Sequence, residues 1–307
     1  MRGWWQDLTD LVLPGECGGC GVPRTVLCAR CRAVLCGAVV HRVRPVPEPA
    51  GLPVVHAAAR YADEVRATLL AHKERGALAL AGPLGVALAG AVRTGLRAAS
   101  ASVEAGVALS RDGRAPVLLV PVPSGRRSVR ARGHDPARRI ALAAAGELRR
   151  RGVPARMAGV LRQRRAVADQ SGLNSRQRLD NLAGALTVAP AGVRLLSAGP
   201  VVLVDDVMTT GASLAEAARA VRAVSAVPGG RSGAPGPIPN AAWTSAVYGG
   251  ETWESREEQN VGSRQERTAR RPARQVNAGA DDADGVVDVV CAAVVAASPD
   301  SFEINRN

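Results

Sequence analysis

Val201-Val-Leu-Val-Asp-Asp-Val-Met-Thr-Thr-Gly-Ala-Ser213 is the stretch on which the fold of this chain turns. Four apolar residues read as a buried strand, Asp205 and Asp206 stand at its carboxyl end, and a loop of small residues then opens a helix. The backbone N–H groups of Thr209, Thr210, Gly211, Ala212 and Ser213, with the helix N-terminus behind them, make an anion cradle worth about half a positive charge. Thr209, Thr210 and Ser213 add hydroxyl donors, and Gly211 lets the backbone approach a ligand closely. Two carboxylates beside such a cradle are poorly placed to hold phosphate but well placed to accept hydrogen bonds from sugar hydroxyls or to help hold Mg2+. The combination suits a ribose 5-phosphate. The plainer reading, an acidic turn with Ser213 as helix cap, accounts for any short fragment but not for the whole run.

Working outward, a second unbroken apolar run at Pro116–Val122 leads through a Ser/Gly-containing turn to a helical pattern at Arg138–Arg150, as Val201–Val204 leads to one at Leu214–Val224. These are βα units. Val286–Ala297 reads as a further strand, so the expectation is an α/β fold with a parallel sheet over residues 54–224 and 286–298. Residues 45–53, with Pro45, Pro47, Pro49 and Pro53, read as a stiff linker from an N-terminal module spanning 1–44. Residues 225–285 lose apolar periodicity and read as a disordered insertion, either a spacer or, through Trp243, Tyr248 and Trp253, a recognition segment. Residues 299–307 form a C-terminal tail.

Five of the six cysteines fall within residues 17–36. Cys17-x2-Cys20 and Cys28-x2-Cys31 each bring two sulfurs within reach of one tetrahedral ion at about 2.3 Å. The competing reading, two disulfides, is disfavoured in a reducing compartment. A four-thiolate shell leaves no open position, so the implied Zn2+ is structural and holds a segment too small to fold by burial alone.

Net charge is +13, and Lys73 is the only lysine among 40 basic residues. Arginine forks attract phosphate, whether in a small ester or in nucleic acid. Only seven residues are aromatic, so the core is aliphatic, and single-stranded DNA would find almost no rings to stack on. Asp7, Asp10 and Glu16 interrupt any secretory pattern, and the apolar region 77–109 is broken by Arg93, Arg97 and Glu104, which points to a cytoplasmic protein without membrane insertion.

The run 201–213 resembles the binding motif of type I phosphoribosyltransferases, and with the N-terminal cysteines the whole chain resembles the ComF family of competence-associated proteins. Leu70-Ala-His-Lys-Glu-Arg-Gly76, Pro121-Val-Pro-Ser-Gly-Arg-Arg127 with Arg132-Gly-His-Asp135, and Gln170-Ser-Gly-Leu173 with Arg176, Arg178 and Asn181 are similar to further elements of that family. The resemblance implies a parallel-sheet type I phosphoribosyltransferase fold with a small N-terminal zinc-binding module. It implies that Asp205 and Asp206 contact the ribose hydroxyls as the catalytic acids and that Thr209–Ser213 wrap the 5-phosphate. Lys73, Ser124, Arg126, Arg127 and Arg132 are then expected at the pyrophosphate of phosphoribosyl pyrophosphate, bound with Mg2+. For any one of these arginines, a solvated surface position is the competing reading. His134 invites a general-base role, against that of a polar loop residue, and the family often carries an aromatic there. Two functions remain open: transfer of the phosphoribosyl group to an acceptor, or a non-catalytic competence factor that binds a ribose phosphate or DNA and works through DNA-uptake partners.

Overall fold

The computed structural model describes residues 15–101, 115–165, 175–225, 287 and 289–302. The segment Gln170–Leu173 and, from residue 226, the expected insertion lie outside the described residues. Along the chain come α1 (Ala29–Cys36), β1 (His41–Val43), β2 (Val55–Arg60), α2 (Asp63–Glu74), α3 (Ala81–Ala101), β3 (Val117–Pro121), α4 (Arg126–Arg132) and α5 (Pro136–Arg150). They are followed by β4 (Ala155–Met157), β5 (Leu161–Gln163), α6 (Ser175–Leu182), β6 (Leu186–Val188), α7 (Pro190–Leu196), β7 (Val201–Met208), α8 (Ala212–Ser225) and β8 (Val289–Ala297).

Six strands form one sheet in the order β1-β2-β8-β7-β3-β4, parallel throughout except for the edge strand β1, while β5 and β6 pair separately as an antiparallel ribbon. The fold is therefore α/β with a mostly parallel mixed sheet. Strand residues alternate between two hydrophobic layers. Val202, Val204, Leu119 and Val295 face the layer closed by α1, α2, α3 and α5, and Val201, Leu203, Leu118 and Val294 face the layer closed by α7 and α8.

The shortage of aromatics is met by close approach of backbones. A methyl on Gly85 of α3 would sit 2.5 Å from Cβ of Ala143 on α5, and one on Gly95 would sit 2.7 Å from Sγ of Cys291 on β8. Leu78–Ala101 is long and apolar enough, by length and composition, to cross a membrane. In this fold α3 lies against β8, β2 and α5, where Leu84, Leu88, Ala91 and Val92 are buried.

β8 lies between β2 and β7, with Ala297 opposite both Arg60 and Met208. It lengthens β7 beyond the four residues that read as a strand. Asp205 pairs in register with Val294 and Met208 with Ala297, so the acid pair lies inside the strand and not beyond its end.

The division into module, linker and tail is softer in three dimensions than along the sequence. Cys17, Leu27, Cys31 and Leu35 belong to the same core cluster as Leu69, Leu80 and Leu84, and β1 is a strand of the main sheet. Residues 45–53 do not hold two bodies apart: Pro45, Pro49 and Pro53 are buried, and Arg222 of α8 donates to the Gly51 carbonyl at 2.7 Å. Of the tail, Phe302 is buried beneath the Arg60 guanidinium, 4.7 Å from ring centroid to Cζ, and Ser301 O accepts from Arg44 N at 2.7 Å.

Candidate functional site

The C-terminal ends of parallel strands are where open α/β sheets bind ligands, because helix N-termini and flexible turns gather there. Three segments meet at this edge. The first is β7 itself with its loop. Asp205 Oδ1 accepts from Asp206 N at 2.8 Å, and Asp206 Oδ1 accepts from Val207 N at 2.8 Å, so each carboxylate is oriented by the next peptide group. Gly211 has φ of +74°, a conformation open to glycine at no cost, and a methyl there would lie 3.0 Å from Leu52 and 3.2 Å from Pro45. The strap 45–53, through Pro45 and Leu52, thus supports the loop from behind. Asp205, Val207 and the Thr209–Ser213 loop line a small concavity of about 30 Å³.

The second segment is the end of α2. Lys73 Nζ donates to Asp206 Oδ2 at 3.1 Å, joining residues far apart in sequence. The negative charge of Asp206 holds the Lys73 ammonium above its usual range despite burial. Asp205 fares differently. Burial, then the neighbouring negative charge of Asp206, push its carboxyl well above the usual carboxylate range, with Lys73 only partly opposing them. One lysine serves two acids, and among the described residues Asp205 has no ion pair of its own.

The third segment follows β3. Ser124 donates through both N and Oγ to Asp135 at 3.4 Å, and Asp135 also caps α5 by accepting from Arg138 N at 3.3 Å. Arg132 pairs with Glu74 at 3.0 Å, next to Lys73 in sequence, so it ties this loop to α2. Arg126 and Arg127 stand exposed on the first turn of α4 without an ion pair among the described residues. His134 is buried, with Nε2 3.2 Å from His72 O, Nδ1 3.2 Å from Arg132 O, and its ring edge-on to His72 at 5.5 Å. The ring lies between two backbone carbonyls, to one of which a neutral imidazole donates, and does not face solvent as a free base would.

Sequence reasoning expects Lys73 at a pyrophosphate and does not foresee its pairing with Asp206. It places Arg178 only by resemblance, in the family's mobile-loop segment, and α6 sets that side chain on the loop, with Nη1 3.2 Å from Thr209 Oγ1. Glu74 and His72 carried no local signal, since each acquires its role from an element more than fifty residues away.

The second cluster lies in the N-terminal part. The sulfurs of Cys17, Cys20, Cys28 and Cys31 all lie within 4.8 Å of one another, and Cys20 Sγ and Cys28 Sγ are 3.6 Å apart. A tetrahedron with bonds of about 2.3 Å has edges of about 3.8 Å, so the set is compatible with a structural zinc site. Burial alone would raise the Cys17 thiol, but N–H groups of Cys20, Cys28 and Gly19 aimed at its sulfur bring it down to about 6. Burial and the neighbouring sulfurs push Cys31 up.

The larger cavity, about 290 Å³, is elsewhere: Val34, Ala58, Arg60, Asp63 and Phe302 line it, at the opposite end of α2 from Lys73. Neither known protein families nor curated proteins yield a match for this chain.

Proposed function

We propose that the protein binds phosphoribosyl pyrophosphate, or a closely related ribose 5-phosphate, at the carboxyl end of β7, as a phosphoribosyltransferase-type protein of the ComF kind. The observation that carries this reading is the convergence of an acid pair, its single lysine and a small-residue loop opening a helix, all on one strand end. Asp205 and Asp206 accept from the ribose hydroxyls, and the N–H groups and hydroxyls of Thr209–Ser213 take the 5-phosphate. Asp205, whose carboxyl is pushed above its usual range by burial and the charge of Asp206, would be the residue to hold Mg2+, which would offset that charge. Mg2+ would supply charge neutralisation to a departing pyrophosphate. The chain's own residues do the rest: they fix the sugar and exclude alternative poses, so that a nucleophile meets the anomeric carbon in line as pyrophosphate leaves. The four cysteines hold Zn2+ as a structural ion, with no coordination position for substrate.

A second reading is binding without transfer, as a competence factor acting through partners. It is favoured by the position of the 290 Å³ cavity, at the N-terminal end of α2 and away from the acid pair, where a base held in it would not meet a ribose at β7. Titration calorimetry of phosphoribosyl pyrophosphate with Mg2+ against wild type and Asp205→Ala/Asp206→Ala tests the first claim. Absence of wild-type binding would sink it. Binding without pyrophosphate release across a panel of bases would select the second reading.

A further inference from the structure

Among the described residues, three buried side-chain nitrogens have no hydrogen-bond partner: His56 Nδ1, His72 Nε2 and Arg178 Nε. The two imidazoles have an escape. Burial pushes both below the usual histidine range, so each stays neutral and leaves unmatched no more than a weak group of an uncharged ring. Arg178 has none, because a guanidinium stays charged at every pH at which proteins fold. A buried N–H of a charged group with no acceptor carries its full desolvation penalty, and a bound anion is one way to remove it.

The position of Arg178 names the ligand chemistry. Its Nη1 donates to Thr209 Oγ1 at 3.2 Å, the first hydroxyl of the anion cradle, and α6 packs on α8, the helix whose N-terminus faces the cradle. That contact uses one of the five N–H groups of the guanidinium. Of the rest, the buried Nε–H is the unmatched one, and an anion that offers two oxygens to a planar fork would satisfy it together with a neighbouring Nη–H.

We propose that Arg178 is the side-chain clamp of the phosphate subsite, donating from its fork to two oxygens of a phosphate monoester seated on Thr209–Ser213 while Nη1 orients the Thr209 hydroxyl. The clamp rests on the reading of the β7 edge as a ribose 5-phosphate site and adds a specificity element to it. A terminal dianionic phosphate satisfies the fork, and an unphosphorylated ribose leaves the penalty in place.

The test is titration calorimetry on the full chain, wild type against Arg178→Ala and Arg178→Lys, with inorganic phosphate, ribose 5-phosphate and ribose as probes, alongside melting curves without ligand. Arg178→Ala is expected to weaken ribose 5-phosphate and inorganic phosphate by about tenfold to a hundredfold, the range for losing charge-assisted hydrogen bonds. Arg178→Lys is expected to recover only part of that, since an ammonium cannot present a fork. The melting temperature of unliganded Arg178→Ala should hold or rise, because the unmatched donor is gone. Wild-type affinity for both phosphates in Arg178→Ala overturns the clamp, as does a lowered melting temperature with affinity unchanged, which would make the residue purely structural. Wild type that binds inorganic phosphate through Arg178 but prefers no ribose 5-phosphate supports the clamp and removes the ribose reading. Wild type that binds neither phosphate overturns both.

Discussion

The four thiols of the N-terminal cluster and the two carboxylates of β7 both crowd like-charged groups together, and the protein treats them in opposite ways. No side-chain cation among the described residues forms an ion pair with the sulfurs, and the neighbouring Arg30 instead meets Glu64 at 2.8 Å. The carboxylates have Lys73 at 3.1 Å, enough for one of them. The first cluster is closed on itself and compatible with a structural ion. The second is half neutralised and, on the proposed reading, open to a ligand that comes and goes.

The most forceful way to break this comparison is to remove the ion from the first cluster. Cys31→Ser, or a strong chelator, is expected to lower the melting temperature by more than about 10 °C, because metal binding in such sites is folding free energy and Cys31 lies in the core with Leu69 and Leu80. Purified protein should carry about one zinc per chain, measured by elemental analysis. Stability indifferent to chelation would make the two clusters alike.

The acid pair itself should split. Asp206→Asn strands Lys73 and is expected to cost about 1–2 kcal/mol in chemical denaturation, kept modest because the lysine is a third exposed. Asp205→Asn should act in the other direction, gaining up to about 1 kcal/mol at pH 7 while ligand affinity falls. The sign follows from the raised carboxyl. Folded Asp205 holds its proton more tightly than the unfolded chain does, so its ionised form destabilises at neutral pH and that cost disappears as pH falls toward 3.8, the ordinary value. The gain from Asp205→Asn should therefore vanish near pH 4. A loss of stability instead would mean that Asp205 is already compensated.

Smaller effects sharpen how rigidly the open cluster is presented. Gly211→Ala is expected to cost about 1 kcal/mol or slightly more in urea melts, from its positive φ and the contact with Leu52. Leu52→Ala in that background should recover the steric share and leave the conformational one. The smallest effect concerns His56 and His72, both pushed below the usual histidine range by burial. Unfolded chains take up protons on them as pH falls below 6.5, so stability should decline from there down to their folded values, with a shallower slope in His72→Gln.

Much of this could be read along the chain, and the reason is locality. The runs 117–121 and 201–204, the helices after them and the spacing of the cysteines are each written in a few consecutive residues. What escaped reading depends on distant partners. Lys73 meets Asp206, Arg132 meets Glu74, and Arg178 meets Thr209 only after the sheet has brought three strand ends to one edge. The proline-rich stretch reads as a linker because composition reports stiffness, and it does not report that Gly211 leaves room behind the loop for Pro45 and Leu52.

The position of β8 has a consequence for how the chain reaches this fold. The strand that fills the middle of the sheet comes near the end of the described chain, after the long stretch that follows α8. Until it is synthesised, β2 and β7 face each other as two open edges, and the pairing that closes them has a large sequence separation. At roughly 5–20 residues added per second, the nascent chain spends seconds with those edges exposed, a period in which chaperone binding or strand pairing with another copy competes with correct closure.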